Sequence, residues 1–350
     1  MLKYFLVAPF VLMAILAGGC AQKITIKSLE PAEVDKAADT KVIAVLPFRY
    51  DNIGLSDKIE ARFATYKIGN EPYFTVVNRT DIDDVIMEQD FQNSEYADIE
   101  NIVEPGAVIG AEAIVSGSFG GITANTTYFY KKKSRYIKIR CHNEKNKDDS
   151  RKNKKKCKKR IYYKVECKRR EVGISADIRL IDVRTSKIIH ADNFFETTSY
   201  SSCRDEYTAI PSDITIAQNL AQYIADSFVY KLTPHYRYRS VELLENEDID
   251  YDSIQKRLLK SSLEYIEYGN YYKAEKLLQR LAESTGYKSY VPLYNLGVIY
   301  EAKGDYNQAR EYYIMADDLV IEPVEQVTQA NMRINSVIYN YNKTQEQIQR

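Results

Sequence analysis

Cysteine is the residue type that offers this chain most of its chemistry. Cys20 directly follows three small residues at the end of an apolar stretch that covers residues 4–16. Four further cysteines lie in the middle of the chain: Cys141, Cys157, Cys167 and Cys203. Four cysteines in an oxidising compartment favour disulfides, for which three pairings exist. None of them forms a C-x-x-C pair, so we expect disulfides rather than zinc or another metal.

The first twenty residues have the layout of an export signal, since Lys3 precedes an apolar run that is short for a membrane span. A cysteine directly after small residues resembles the lipobox of bacterial lipoproteins, although Ala17 replaces the usual Leu. The resemblance implies that Cys20 becomes the new N-terminus and carries fatty-acyl chains such as palmitate. Ala21, rather than Asp, implies an outer-membrane anchor facing the periplasm. A plain secretory signal with an incidental cysteine is the alternative.

Charge is balanced over the chain but strongly segregated along it. The 49 Lys and Arg residues equal the 49 Asp and Glu residues, yet residues 131–170 contain 20 basic and only four acidic side chains. Such a local excess creates a field that the net charge does not reveal. The densest part of this basic insertion is Lys154, Lys155, Lys156, Lys158, Lys159 and Arg160.

The basic insertion predicts a water-exposed hairpin with arms at 136–141 and 161–167. By position along these arms, Cys141 pairs with Cys167, which leaves Cys157 for Cys203. An anionic envelope surface is the ligand that the charge favours, and a solvated loop without a partner is the alternative. Nucleic acid is not expected, because an exported and tethered protein rarely meets it.

Composition predicts a non-enzymatic protein of about two domains. The chain has 350 residues, of which 45% are hydrophobic and 28% charged, as in ordinary globular proteins. It has three His and no Trp. The sequence has no phosphate-binding loop, no serine-hydrolase elbow and no H-E-x-x-H motif. We therefore expect no catalytic residue and no cofactor.

Strand and helix patterns alternate between residues 41 and 240, which predicts a sheet covered by helices. Apolar runs with the length of buried strands lie at 42–48, 73–77 and 113–122. Apolar residues then alternate with mostly polar ones from 172 to 180, and a return strand is expected over 188–195. Helices are expected to begin at Ser56 and Thr80 and to cover 211–233.

Four segments of this region carry a family resemblance. They are KVIAVLPF (41–48), YFTVVNRTDIDDVIMEQ (73–89), VIGAEAIVSGSF (108–119) and ISADIRLIDVRTSKII (174–189). In this order they resemble the curli-production-assembly (CsgG-like) family, to which lipoprotein activators of penicillin-binding proteins are related. The resemblance implies an α/β (α+β) fold in the bacterial envelope. It also implies an alternative function, an oligomeric secretion channel, although the basic insertion lacks the apolar alternation that a membrane hairpin needs.

The C-terminal part contains an internal repeat. Gly269–Ala274 recurs as Gly304–Ala309, and this spacing resembles the tetratricopeptide pattern. The resemblance implies pairs of helices whose concave groove binds a protein segment, and residues 327–338 supply a capping helix. The positions that match the pattern, all with structural roles, are Leu258, Tyr265, Gly269, Ala274, Leu278, Leu293, Leu296, Gly297, Tyr300, Gly304, Ala309, Tyr313 and Ala316.

The sequence thus predicts a chain of several segments. They are a signal peptide (1–19), a tether (20–40), a CsgG-like domain (41–240), an acidic linker (241–250) and helical repeats with a capping helix (251–345). We expect a non-enzymatic adaptor or scaffold in envelope or surface-structure assembly. It is held at the outer membrane by its lipid anchor and binds protein partners through the repeats. A homo-oligomer is compatible with this role.

Overall fold

A computed structural model describes residues 22–77, 110–140 and 156–350, without the side chains of residues 140, 156 and 157. Cys20, Cys141, Lys154, Lys155 and the helix expected from Thr80 lie outside the described residues. The described chain forms two compact units. We call residues 31–235 and 346–350 the sheet unit, and residues 22–30 and 236–345 the helix unit.

The sheet unit is built on a five-stranded mixed sheet in the order β5-β2-β6-β7-β8. Its strands are β2 (Val42–Val45), β5 (Thr75–Val76), β6 (Ala113–Arg140), β7 (Lys156–Asp182) and β8 (Lys187–Cys203). β2 runs parallel to β5 and β6, and the pairs β6–β7 and β7–β8 are antiparallel. A small separate pair joins β3 (Lys67–Ile68) to β4 (Glu71–Pro72), and a 3-10 helix covers Asp35–Asp39.

Two helices cover one face of this sheet, α1 (Leu55–Thr65) and α2 (Asp213–Leu232). The alternation predicted from 172 to 180 is confirmed, because all five apolar side chains are buried beneath these helices. Ser212 caps α2 by accepting a hydrogen bond from the backbone N–H of Thr215, and Phe228 meets Phe63 of α1 edge to face. The fold class predicted from alternating strands and helices is therefore correct for this unit.

The helix unit combines a two-stranded sheet with helices. β1 (Lys23–Glu30) pairs with β9 (His235–Glu242). Five helices follow: α3 (Ser253–Glu267), α4 (Tyr271–Ser284), α5 (Tyr290–Lys303), α6 (Tyr306–Asp317) and α7 (Glu325–Gln349). Within the described ranges, no helix combines the length and the hydrophobicity that crossing a bilayer requires.

The segments expected to be a tether (20–40) and an acidic linker (241–250) both contribute ordered structure to the helix unit. Residues 23–30 of the expected tether form β1, because Ile24 and Ile26 alternate with exposed side chains and pack into the core of this unit. The expected acidic linker begins with Val241 and Leu243, both buried. Only two or three apolar residues hold each segment in place, too few to stand out as a pattern in the sequence.

Candidate functional site

The basic insertion forms the outer part of one long hairpin. β6 and β7 are 28 and 27 residues long, and they pair along their whole length. The pairing between β7 and β8 ends at Cys167 and Cys203, so β8 does not extend along the rest of the hairpin. We call residues 128–140 and 156–168 the outer hairpin. Its arms are longer than predicted, and Tyr136 lies opposite Arg160.

The pairing register separates the outer hairpin into two different faces. In an antiparallel pair, directly opposed residues point to the same side and neighbours along a strand point to opposite sides. Even-numbered residues of β6 oppose even-numbered residues of β7. The even-numbered side, which we call the basic face, consists of Tyr128, Tyr130, Lys132, Ser134, Tyr136, Lys138, Lys158, Arg160, Tyr162, Lys164, Glu166 and Lys168. All of these side chains except Ser134 are exposed.

The opposite face is more apolar and partly covered. Its side chains include Phe129, Ile137, Ile139, Ile161, Tyr163 and Val165. Val165 is buried, and Phe129 and Tyr163 pack beside it. Lys131, Arg135 and Lys159 are the exposed basic residues of this face. The predicted patch is therefore divided, with Lys158 and Arg160 on the basic face and Lys159 on the other, while Lys156 is described only by its backbone pairing with Arg140.

A disulfide joins Cys167 to Cys203 at the base of the outer hairpin. The pairing predicted from the sequence, Cys141 with Cys167 and Cys157 with Cys203, is therefore wrong. The cause is register, because Cys167 lies opposite Phe129, twelve positions before Cys141, and opposite Cys203 on its other side. Cys157 lies opposite Ile139. The two bridged cysteines are buried with Val165, so the bridge fixes the end of β8 to the hairpin.

The loop after the disulfide closes over the opposite face through charges. Lys133 Nζ lies 2.7 Å from Asp205 Oδ1 and 2.8 Å from Glu206 Oε1. Hydrogen bonds from Lys133 hold the pKa of both carboxyls below their usual values. Asp205, Glu206 and Cys203 lie close enough together to suggest a metal cluster. However, the sulfur is in the disulfide and both carboxylates are paired with Lys133, so this group is not a cation site.

The centre of the basic face is organised around Arg160. Its Nε donates to Ser134 Oγ at 3.0 Å, and its guanidinium lies 6.0 Å from the ring centre of Tyr136 and 5.4 Å from that of Tyr162. Lys132 Nζ lies 5.0 Å from the Tyr162 ring centre. These cation–π distances are within the range in which the interaction is attractive. Basic and aromatic side chains therefore alternate as one connected exposed cluster.

The positions matched to the repeat pattern lie where the helices meet. Gly269 and Gly304 have positive φ angles of 71° and 83° in the turns that follow α3 and α5. A Cβ atom on Gly297 would come within 2.5 Å of the Tyr313 ring, so only glycine allows this approach of α5 and α6. Leu258, Tyr265 and Tyr300 are half-buried. The remaining matched positions are buried: Ala274, Leu278, Leu293, Leu296, Ala309, Tyr313 and Ala316.

One side of α5 is covered by the segment that precedes α3. The side-chain amide of Asn295 accepts from the backbone N–H of Leu244 at 3.0 Å and donates to its carbonyl oxygen at 2.8 Å. Tyr294 OH donates to the carbonyl oxygen of Glu242 at 2.8 Å. Residues 291–299 are all buried. The corresponding positions of α3 lie 35 residues earlier in the chain, at 256–264. Four of them, Lys256, Leu259, Lys260 and Leu263, line an open cleft together with Glu245–Glu247.

A buried ion pair in the helix unit escaped the sequence analysis. The Glu301 carboxylate is 1% exposed and accepts from Arg333 Nε at 3.0 Å, Arg333 Nη2 at 2.8 Å and Tyr313 OH at 2.7 Å. Burial alone would lower the pKa of Arg333, but the hydrogen bonds to Glu301 and the charge of that carboxylate outweigh burial and raise it. The signal that the sequence offered is a Glu within a mostly apolar helical segment.

The polar cluster that most resembles a catalytic group has a structural explanation. Asp192 Oδ2 lies 2.9 Å from both His190 Nε2 and Lys231 Nζ. Burial alone would raise the pKa of Asp192, but hydrogen bonds from Lys231 and His190 outweigh it, so the pKa lies below its usual value. The three groups fasten β8 to the end of α2.

The solved structures that match this chain include two bacterial proteins. No protein-family model matches the sequence, and no curated protein matches it. The C-terminal domain of LpoB from Salmonella enterica matches with 11% identity over 47% of this chain and 95% of that chain, at a TM-score of 0.26. Lipoprotein GNA1162 from Neisseria meningitidis matches with 11% identity over 54% of this chain and 98% of that chain, at a TM-score of 0.25. At these TM-scores neither match supports a conclusion about fold or function.

Proposed function

We propose that this protein is an exported lipoprotein and a non-enzymatic adaptor or scaffold in the assembly of the bacterial envelope or of a surface structure. The observation that carries the proposal is the buried Cys167–Cys203 disulfide. Disulfides persist in oxidising compartments outside the cytosol, which agrees with the export pattern of residues 1–19. Acylation of Cys20 would hold the molecule at the outer membrane, since two or more acyl chains anchor a protein stably.

The proposal includes a CsgG-like sheet unit and a helix unit of tetratricopeptide type. The α3–α4 and α5–α6 pairs are each joined by a short turn that contains glycine followed by a capping Asn or Asp. Gly297 allows the close helix approach that such pairs need. Ser262 takes the place of that glycine in the first pair and is fully buried. α7 then acts as the capping helix, because Val327, Ala330 and Ile334 are buried against the pairs.

The cleft beside α3 is the site that we assign to a protein partner. Residues 242–244 occupy the groove side of α5 as an extended segment held through its backbone. A partner segment that continues along the same groove would meet Leu259 and Leu263 with Lys256 and Lys260 beside them. Glu245 and Glu247 balance the two lysines, and Lys256 is already paired with Glu247 at 3.0 Å. The two leucines therefore suit an extended segment with apolar residues.

The alternative, an oligomeric secretion channel, receives less support from the hairpin. A channel hairpin must turn one face to hydrocarbon, and each Lys or Arg on that face is unfavourable by about 2–4 kcal/mol at the bilayer midplane. Both faces of the outer hairpin carry such residues, Lys132 and Lys158 on one and Lys131 and Arg135 on the other. We therefore favour the adaptor.

Site-specific photocrosslinking in the native host tests the adaptor function. A photoreactive residue at Lys260 lies in the cleft, and a matched one at Met332 lies on an exposed part of α7. We expect a discrete protein adduct from position 260 alone. Adducts that are identical at both positions, or absent at 260, would count against the cleft as the partner site.

A further inference from the structure

The outer hairpin presents a surface whose chemistry the proposed adaptor function does not use. The basic face carries six Lys or Arg residues and one acidic residue, Glu166. That carboxylate already lies 3.6 Å from the guanidinium of Arg204. Apart from Glu166, the positive charges of this face have no acidic neighbour among the described residues of the two strands.

The opposite face is a weaker electrostatic surface, although it belongs to the same two strands. Lys133 is neutralised there by Asp205 and Glu206. The basic residues that remain exposed lie opposite apolar side chains: Lys131 opposite Val165, Arg135 opposite Ile161 and Lys159 opposite Ile137. The charge excess of this segment is thus directed mainly to one side by the register, which the sequence alone did not reveal.

Four tyrosines accompany the charges on the basic face, and each of them is at least 60% exposed: Tyr128, Tyr130, Tyr136 and Tyr162. These four rings lie on the same side of two paired strands, among the basic side chains. Tyrosine is enriched at membrane–water interfaces, where its ring lies among the headgroups and its hydroxyl reaches water. Lys and Arg clusters bind the phosphates of anionic lipids.

The dimensions also suit a bilayer surface. Tyr128 and Lys138 are ten residues apart on one strand, which corresponds to about 34 Å at 3.4 Å per residue. The face therefore extends over several lipid headgroups. Arg160, held between Tyr136 and Tyr162 and bonded to Ser134, is already positioned for such a contact.

We propose that the basic face of the outer hairpin binds the surface of an anionic phospholipid bilayer, lying on it rather than crossing it. This contact is separate from the lipid anchor and from the partner cleft. It gives the molecule a second attachment to a membrane, whose strength depends on salt because screening weakens exposed charges.

Vesicle binding by a protein without acyl chains tests the proposal independently of the anchor. Residues 20–350 with Cys20→Ser keep the whole described structure and remove the acylation site. We expect this protein to sediment with vesicles of phosphatidylglycerol and phosphatidylcholine at low salt, and not with phosphatidylcholine alone. Binding should fall as the salt concentration rises.

Two charge-matched variants assign the binding to one face. Each removes two Lys and one Arg from neighbouring positions of the same strands. The basic-face variant carries K132Q, K158Q and R160Q, and the opposite-face control carries K131Q, K159Q and R135Q. Each Lys or Arg near an anionic surface contributes roughly fivefold to affinity, so the basic-face variant should bind about 100-fold more weakly. The control should lose much less, because its side chains point away from the lipid.

Three results would overturn the proposal: no binding to the anionic vesicles, an equal loss in both variants, or tighter binding to soluble polyglutamate-type polyanions than to vesicles. Circular dichroism and thermal melting check that both variants fold. If the triple variant does not fold, the single substitutions K132Q and K131Q replace it, with a roughly fivefold loss expected for K132Q alone. Failure here would leave the anchoring at Cys20 and the cleft beside α3 untouched.

Discussion

The buried ion pair between Glu301 and Arg333 allows the most demanding test of the helix unit. Replacing Glu301 by Gln keeps the shape of the side chain but leaves the Arg333 charge without its partner. Breaking a buried pair in this way destabilises a protein by about 3–5 kcal/mol. The Arg333 side chain keeps 19% exposure, so water relieves part of the penalty and we expect about 3 kcal/mol.

A combined variant separates the loss of a partner from the value of the pair. Glu301→Leu, Arg333→Met and Tyr313→Phe together remove every polar group of the cluster. Apolar replacement of a buried pair is often neutral or stabilising, so this variant should unfold within about 1 kcal/mol of the wild type. The matched control is Lys303→Met, which breaks the more exposed Lys303–Glu275 pair and should lower stability by less than about 1 kcal/mol.

Urea unfolding measures these differences. The chain has no Trp, so far-UV circular dichroism is the suitable signal, fitted with separate transitions if the two units unfold independently. The reasoning is refuted if Glu301→Gln is no more destabilising than Lys303→Met, or if the combined variant is the least stable of all.

Three further predictions concern the sheet unit. Replacing Cys167 and Cys203 by Ala should lower its free energy of unfolding by about 4 kcal/mol, since the bridge spans a sequence separation of 36 residues. Asp51→Ala should cost about 1 kcal/mol at neutral pH. Burial alone would raise the pKa of Asp51, but backbone hydrogen bonds from Ser56, Leu55 and Ile53 outweigh burial and lower it. The stabilisation by the Asp51 carboxylate is therefore present above about pH 4 and is lost as the pH falls through the folded pKa. Burial lowers the pKa of Lys41 to about 8, although the charges of Asp39 and Glu112 oppose the shift. As the pH rises from 8 toward about 10.4, the unfolded chain therefore holds the Lys41 proton more often than the folded chain. The wild type should gain stability relative to Lys41→Met over this range.

Each of these predictions has its own control. Adding reductant to the wild type should reproduce the cysteine variant, and reductant should leave that variant unchanged. Asp51→Asn, which keeps an acceptor oxygen but cannot ionise, should lose the pH dependence. A stability difference between Lys41→Met and wild type that is constant from pH 8 to 10 would contradict the lowered pKa.

Sequence periodicity predicted the parts of the fold in which many residues repeat one signal. The strand from 172 to 180 alternates five times, so its buried face was predictable before any pairing was known. α2 was predictable for the same reason, although Ile214 belongs to the pattern and is 59% exposed. β1 was missed because the alternation of Ile24 and Ile26 lasts for only two residues.

Long-range pairing explains what the sequence could not provide. The pairing register of the hairpin depends on the sheet end of β6, which has an irregularity between Phe119 and Gly121. A register predicted from the tip of the hairpin therefore placed Cys167 opposite the wrong residue. The same register creates the basic face, since one position of slippage would move every lysine to the other side. Glu301 and Arg333 are similarly far apart in the chain, and only the packing of α7 brings them together.

Mass spectrometry of the protein purified from membranes of its host tests the central claim of an exported, lipid-anchored molecule most directly. We predict an N-terminal peptide that begins at Cys20 with acyl chains attached, together with a disulfide-linked peptide pair that contains Cys167 and Cys203. A chain that retains residues 1–19, or that begins at an unmodified Cys20, would contradict the account.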